Sequence, residues 1–318
     1  MLISCRSTRW LATYPEPRLA TILVTLHCDN DCIFCGAAEK RRREARGALD
    51  ADLVADWLDR CAAARVRLVA FSGAGDPLSH PDIVSLVRKT VLLGMQPYLY
   101  TQAHQASPEL VESLVKAGLR EIAISVHAHD ALSHDALTRN SGSFARTLQG
   151  MRVFLQAGVH VQTNSVLTQL NAERLAELVD LLAGEQGVHE MAFSYPRIEG
   201  NAHGHLDLMV PFATIIRRLR PALARAQRIG NEVTVENIPH CYLRPEEYTP
   251  LPDYEVMYKD EQYDVALRPS DVEMHYPACC EGCCHRDMCP GFDRYYPFAF
   301  EAGPERQVHV AKHLAKDS

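Results

Sequence analysis

Three features are missing from this sequence, and each absence narrows the classes of protein to consider. No run approaches ~18 consecutive apolar residues, so we expect no transmembrane helix. The N-terminal stretch MLISCRSTRWLATYPEP contains no apolar segment of the secretory type, which favours a cytoplasmic protein. The net charge is −7 at pH 7, so there is no basic excess that would indicate binding to nucleic acid.

Cysteine is absent between residues 62 and 240, and this gap separates two groups of cysteines among the eleven in the chain. The first group is Cys28, Cys32 and Cys35. The second group is Cys241, Cys279, Cys280, Cys283, Cys284 and Cys289. Clustered cysteines in a reducing compartment are more often metal ligands or catalytic groups than disulfides. The distribution therefore predicts metal sites near both ends of the chain.

The middle of the chain alternates strand-like and helix-like segments. Six β/α units of ~30–35 residues fit between residues 19 and 230, and EVTVENIP (232–239) closes the series. A complete eight-unit barrel usually takes ~250 residues, so we expect an α/β fold with an open, partial (β/α)6 TIM-type barrel over 19–238. A doubly wound sheet is the alternative. In both folds, functional residues collect at the C-terminal ends of the strands.

The two ends of the chain differ in texture from this barrel region. Residues 1–18 are expected to form an N-terminal extension. Residues 239–318 are rich in Pro, Tyr, Asp, Glu and Cys and show little periodicity. This composition predicts a small, irregular domain without a hydrophobic core of its own, which a metal site would stabilise.

The first cysteines have the spacing C-x3-C-x2-C and follow the apolar, strand-like run LATILVTL (19–26). Iron–sulfur cubes are held by cysteine thiolates. Three thiolates on a short loop hold three irons of a [4Fe–4S] cube and leave the fourth iron open. A zinc site completed by His27 or by a distant residue is the alternative.

With this loop after its first strand, the sequence resembles the radical S-adenosylmethionine (SAM) superfamily over roughly residues 19–200. The resemblance implies that SAM chelates the open iron through its amino and carboxylate groups. It also implies that one electron cleaves SAM to methionine and a 5′-deoxyadenosyl radical, which abstracts hydrogen from a substrate. A reducing partner such as flavodoxin or ferredoxin would supply that electron.

The resemblance also assigns residues to the binding of SAM. Phe34 matches the aromatic position whose backbone lies near the adenine. The stretch SGAGDP (72–77) matches the Gly-Gly-Glu-Pro element that binds the amino group of SAM, although Asp replaces Glu and an Ala intervenes. Gly73 and Gly75 permit close backbone approach, and Asp76 is suited to pair with an ammonium group.

Polar residues at later strand ends extend this set. Ser125 matches a family position near the ribose and carboxylate of SAM, and Asn164 offers a similar contact. Ser194 and Arg197 are weaker candidates. An Arg suits a carboxylate, and a solvent-facing side chain is the alternative for Arg197. The histidines near strand four are structural, or serve substrate binding or proton transfer: His127, His129 and His134. The basic run EKRRREARG (39–47) is a solvated loop or a contact to an anionic substrate or redox partner.

The second cysteine group resembles the auxiliary-cluster extensions of this superfamily, the SPASM and twitch types. Its C-x2-C-x5-C core fits the SPASM pattern, but the next expected cysteine is Asp293. The resemblance therefore implies one auxiliary [4Fe–4S] cluster that relays electrons, held by Cys241, Cys280, Cys283 and Cys289. Cys279 and Cys284 are adjacent to these ligands, and the choice within each doublet stays open. A zinc ribbon is the alternative.

The resemblance implies an enzyme but leaves its substrate open. We favour oxidation, epimerisation or bond formation on a small molecule in natural-product or cofactor biosynthesis. The alternative is a maturase of a ribosomally synthesised peptide or protein with a separate recognition partner, because a strand near residue 19 leaves no place for a fused recognition domain. An iron–sulfur electron carrier or sensor, which does not cleave SAM, is the non-enzyme alternative.

Overall fold

The structure is a computed structural model of the 318-residue chain. It describes residues 18–43, 47–72, 74–244, 247, 255–259, 264–267, 274–283, 286, 289–293 and 296. Three sequence predictions lie outside the described residues: the N-terminal extension apart from Arg18, the SAM contact of Gly73, and the role of Cys284.

Seven parallel strands form the centre of the molecule. They are β1 (Arg18–Leu23), β2 (Leu68–Ser72), β3 (Gln96–Thr101), β4 (Glu121–Ser125), β5 (His160–Val166), β6 (Glu190–Ser194) and β7 (Glu232–Glu236). Their order in the sheet follows their order in the chain, and the sheet stays open. This topology confirms the partial barrel. The doubly wound alternative is wrong, because such a sheet reverses its strand order.

Helices connect the strands. They are α1 (Ala38–Arg43), α2 (Ala51–Ala63), α3 (Ile83–Leu92), α4 (Pro108–Ala117), α5 (Ala131–Thr138), α6 (Ser143–Gln156), α7 (Leu175–Val179) and α8 (Phe212–Arg228). Helix α4 has a capping residue at each end. Ser107 caps its first turn, and Gly118 ends it with a φ of 109°. The helical segment after β5 has two parts, because α7 continues as a π-helix over Asp180–Glu185.

The sheet extends beyond the predicted domain boundary at residues 238 and 239. Strand β8 (Glu255–Lys259) pairs in parallel with β1, and β9 (Asp264–Leu267) pairs antiparallel with β8. The strands β10 (Met274–His275) and β11 (Phe292–Asp293) form a separate antiparallel pair. The division into a barrel over 19–238 and a cluster domain over 239–318 stays a prediction.

Alternation along each strand separates an outer core from the barrel interior. In β1, Ala20 and Ile22 are fully buried in the large core with the helices, whereas Leu19 belongs to a small inner cluster with Leu68 and Tyr98. Burying a side chain such as Ile22 stabilises the fold by about 1.5–3 kcal/mol. The inner cluster fills the N-terminal part of the interior, so a cavity is left at the C-terminal ends of the strands. Across the described part of the chain, no helix has the length and apolar character needed to cross a membrane.

Candidate active site

A cavity of about 430 Å³ lies at the C-terminal ends of the seven parallel strands, each of which contributes residues to its wall directly or through its following loop. Sequence-predicted site residues on this wall are Cys28, Cys32, Phe34, Cys35, Gly75, Asp76, Ser125 and Asn164. Ser194, Arg197 and His127 also line it. The structure therefore brings together all the predicted SAM-site residues that it describes.

The cysteine loop consists of tight turns between β1 and α1. The amide of Cys35 donates to the carbonyl of Cys32 over 3.0 Å, and the amide of Ala38 donates to the carbonyl of Cys35 over 3.3 Å. Two further backbone bonds tie the loop to the end of α5, including one of 3.0 Å from Ile33 to Leu137. Local turns and a distant helix together direct the three thiols towards one cavity.

Burial holds two thiols of this loop, those of Cys28 and Cys32, in their protonated form. It raises the pKa of Cys28 to about 11, and the nearby Asp76 carboxylate adds to the shift while Arg41 opposes it. Burial also raises the pKa of Cys32, with further contributions from Cys35 and Cys28. Metal binding by these cysteines must therefore release protons.

Gly75 brings the loop after β2 into contact with the cysteine loop. A Cβ atom at this position would lie 2.4 Å from the carbonyl oxygen of His27, a distance that no side chain can occupy. The amide of the next residue, Asp76, donates to the same carbonyl over 2.7 Å. The glycine that sequence reasoning assigned to SAM thus has a structural role in joining two loops of the cavity wall.

The carboxylate of Asp76 is buried and fixed by three donors. It accepts hydrogen bonds from the Thr101 hydroxyl at 2.7 Å, from the Gln102 amide at 2.8 Å and from the Leu78 amide at 3.0 Å. Burial nevertheless raises the pKa of this carboxyl. A cationic group in the cavity would favour its charged form.

Arg41 shows that the basic run after the cysteines is not simply a solvated loop. It lies in α1 with a side chain only 14% exposed. Its guanidinium donates to the carbonyl of Ala74 over 3.0 Å and to the carbonyl of Asn30 over 3.1 Å. Arg41 therefore fastens the cysteine loop to the loop after β2.

The loop after β6 closes against the cysteine loop, a contact that the sequence did not indicate. The amide of Asn201 donates to the carbonyl of Cys35 over 3.1 Å, and its side chain donates to the carbonyl of Cys32 over 2.9 Å. Gly200 has a φ of 55°, and a Cβ there would lie 2.5 Å from the Cys35 carbonyl oxygen. The pairing joins residues about 165 positions apart, so no local pattern reveals it.

A polar row crosses the ends of β5, β6 and β7 on the cavity wall. The hydroxyl of Ser194 lies 2.8 Å from Oδ1 of Asn164 and 2.8 Å from Oε2 of Glu236. A hydroxyl has one proton, so it donates to one of these oxygens at a time. Sequence reasoning missed Glu236, although an acidic residue ending a parallel strand is a signal for the functional edge of the sheet.

Of the three histidines near β4, His127 is the one that lines the cavity, and it is neutral. Burial and the neighbouring His134 hold its pKa well below the ordinary value. Its Nδ1 accepts from the amide of Val166 over 3.3 Å, which leaves the ring proton on Nε2. Phe34 packs edge-on against this ring, with 4.8 Å between centroids. His129 pairs instead with Asp130 at 3.2 Å.

The second cysteine group lies where three backbone segments meet. The Sγ of Cys289 accepts hydrogen bonds from the amides of His240 and Gly291, each over 3.4 Å. Because Cys241 directly follows His240 in the chain, its backbone lies near Cys289. The amide of Cys283 donates to the carbonyl of Cys280 over 3.3 Å. Burial raises the pKa of Cys289, and Cys283 adds to that shift.

Among the described residues, the cysteines of neither group are arranged to hold a single metal ion. In the ranges that the structure describes, no three His, Cys, Asp or Glu side chains lie close enough together to hold one metal ion. The sites of the two groups therefore stay predictions, as does the choice between Cys279 and Cys280.

Comparison with known proteins gives the family. Residues 22–182 match the family model described as the radical SAM superfamily. The chain is 30% identical to the AdoMet-dependent heme synthase of Methanosarcina barkeri over 171 residues, which cover 54% of this chain and 48% of that protein. It is 25% identical to the PqqA peptide cyclase of Ruegeria pomeroyi over 231 residues, 72% of this chain and 61% of that protein.

Solved structures show the same fold. Streptococcus suis SuiB bound to S-adenosylmethionine superposes with a TM-score of 0.65 at 16% identity, covering 90% of this chain and 75% of that one. The match to the heme synthase spans about half the length of that relative.

Proposed function

The chain belongs to the radical SAM superfamily, and from that premise we propose that this enzyme acts on a small molecule in natural-product or cofactor biosynthesis. The observation that carries the proposal is the cavity of about 430 Å³, whose wall holds the cysteine loop and the other described SAM-site candidates. Its volume is within the range of small-molecule pockets.

The cysteine loop is proposed to hold the cluster through Cys28, Cys32 and Cys35. The three thiols line one cavity, and the loop is fastened on two sides by Arg41 and Asn201. A reduced cluster held there would, together with SAM, supply the 5′-deoxyadenosyl radical for hydrogen abstraction from the substrate. Three ligands fit a cluster that keeps one iron open.

The wall residues are proposed to bind SAM by complementary chemistry. The buried Asp76 carboxylate is suited to the ammonium group, since a bound cation offsets the cost of its burial. Phe34 lies within the cysteine loop with its ring packed against His127, and its backbone is proposed to lie near the adenine. Ser125 and Asn164 offer polar groups at the ends of β4 and β5.

The second group is proposed to hold one auxiliary [4Fe–4S] cluster through Cys241, Cys280, Cys283 and Cys289. Amide hydrogen bonds to the sulfur of Cys289 suit a thiolate. Such bonds are also among the factors that set cluster potentials. Four cysteine ligands leave no iron open to substrate, so the role proposed for this cluster is electron relay.

Peptide maturation is the second candidate function. It is favoured by the match to the PqqA peptide cyclase, which extends over 72% of this chain and thus beyond the family core. In that case a separate partner would present the peptide.

One experiment distinguishes a small-molecule substrate from a peptide substrate. Reduced holoenzyme and SAM are incubated with an extract of the producing cells grown in heavy water, and deuterium transfer to 5′-deoxyadenosine is followed by mass spectrometry. Half of the extract is first digested with a protease that is then removed. The small-molecule proposal expects equal transfer from both halves. Transfer that digestion abolishes would instead support the peptide.

A further inference from the structure

Arg197 is a charged residue on the cavity wall that the proposed SAM site does not use. It lies three residues after the last residue of β6. It lines the cavity, and its side chain is 11% exposed. A guanidinium at such depth normally has a carboxylate or several hydrogen-bond acceptors around it.

Its surroundings do not satisfy this guanidinium. The nitrogens Nε and Nη2 are buried and have no hydrogen-bond acceptor among the described residues. Its ion pair with Glu199 spans 3.6 Å between Nη1 and Oε1, which is too long for a hydrogen bond. Two adjacent N–H groups without acceptors match the two oxygens of a carboxylate.

The backbone around Arg197 is held in place from two directions. The amide of Ile198 donates to Oδ2 of Asp293 over 3.1 Å. Two residues further on, Gly200 packs against the carbonyl of Cys35. Asp293 stands where the SPASM pattern would place another cysteine, and here its carboxylate anchors the loop that carries Arg197.

We propose that Arg197 binds a carboxylate group of the substrate, which extends the proposed function and rests on it. On binding, the guanidinium would turn so that Nε and Nη2, which are buried in the free protein, meet the two oxygens. Glu199, Glu236 and Asp76 are also on the wall, so a singly charged anion fits better than a dianion such as phosphate. Arg41, which also lines this cavity, already donates to two backbone carbonyls.

The position of Arg197 favours the substrate over the carboxylate of SAM. The residues proposed to bind SAM lie in the loops after β1 and β2 and in the C-terminal parts of β4 and β5. Arg197 follows β6, on the loop that Asp293 ties to the C-terminal segment. A substrate held there would lie on the side of the cavity that faces the second cysteine group.

Propanoate is the probe for carboxylate binding, and propanamide, an uncharged molecule of similar size, is its control. Thermal unfolding of the holoenzyme is measured with each compound at constant ionic strength and saturating SAM. The variants are Arg197→Met and Arg197→Lys. Arg218→Met is the control. Arg218 lies in α8, forms an ion pair of 2.6 Å with Glu173, and is not among the residues that line the cavity.

Propanoate at ten times its dissociation constant should raise the unfolding midpoint of the wild type and Arg218→Met by about 2–4 °C. Propanamide should not. Arg197→Met should lose the shift, and Arg197→Lys should keep less than half of it, because an ammonium lacks the planar fork. If Arg197→Met does not fold, the size of the propanoate shift in Arg197→Lys tests the inference.

Three results would overturn the inference. These are equal responses to propanoate and propanamide in the wild type, an undiminished shift in both Arg197 variants, and a propanoate shift that appears without SAM but vanishes with it. The last would show that SAM itself occupies Arg197. Formation of 5′-deoxyadenosine by the wild type is measured in parallel, so that its absence, which tests the proposed function, is distinguished from failure of the anion site alone.

Discussion

The amide of Asn201 donates to the carbonyl of Cys35 over 3.1 Å, so the loop after the sixth strand holds the loop of the first cysteines in place. The Asn201 side chain reinforces this contact through the carbonyl of Cys32. The conformation of the cysteine loop thus depends on a segment far along the chain, and changes in that segment should disturb the cluster site without touching a cysteine.

Gly200→Ala should weaken the first cluster site. The backbone has a φ of 55°, and the new Cβ would lie 2.5 Å from the Cys35 carbonyl oxygen, so the two loops must separate. We expect a loss of about 1–3 kcal/mol of unfolding free energy and incomplete occupancy of one cluster, measured by urea unfolding and by iron content. Gly204→Ala is the control, because a Cβ there meets nothing within 4 Å. Equal unfolding free energies and iron contents of the two variants would refute the role of Gly200 in holding the cysteine loop.

Substitution of single cysteines should separate the two clusters. The wild type should hold about eight irons, and Cys35→Ala and Cys289→Ala should each hold about four, because each [4Fe–4S] cluster needs its thiolates. Only Cys35→Ala should also abolish the spectral change that SAM causes in the reduced protein. Four irons with one zinc in the wild type would favour the zinc ribbon for the second group.

Asp76→Asn should weaken the binding of SAM by about 10- to 100-fold. The substitution removes the charge that pairs with the ammonium group, and a hydrogen bond to a charged partner contributes about 1.5–3 kcal/mol. The dissociation constant is measured by titrating SAM into the reconstituted protein. Asp82→Asn, an exposed residue before α3, should leave it unchanged. A shift of less than twofold in Asp76→Asn would remove this residue from the SAM site.

Away from the site, His160 should make stability depend on pH. Its hydrogen bond to Glu190, 2.7 Å long, raises the pKa of the imidazole above the ordinary 6.5. The folded state therefore holds the proton more tightly than the unfolded state. This stabilisation is complete below pH 6.5 and is lost as the pH rises through the raised pKa. The free energy of unfolding, measured with urea at a series of pH values, should therefore depend less on pH in His160→Gln than in the wild type between pH 6.5 and the raised pKa. An unchanged pH dependence would contradict the role of His160.

Local patterns predicted the strands and the cysteine loop, because alternation of apolar residues and cysteine spacing each depend only on residues that are close together in the chain. They did not predict what depends on tertiary contact. Gly200 has its role only because Cys35 folds against it. Helix α1 was taken as part of a loop, although Arg41 gains two backbone acceptors there. The pairing of β8 with β1 joins residues more than 200 apart.

The most direct test of the account is the cleavage of SAM. The protein is reconstituted with iron and sulfide without oxygen, reduced, and given SAM, and 5′-deoxyadenosine is quantified by chromatography and mass spectrometry. The account predicts 5′-deoxyadenosine from the wild type and none above background from Cys35→Ala. Wild-type protein with a full complement of iron that forms no 5′-deoxyadenosine above background would contradict it.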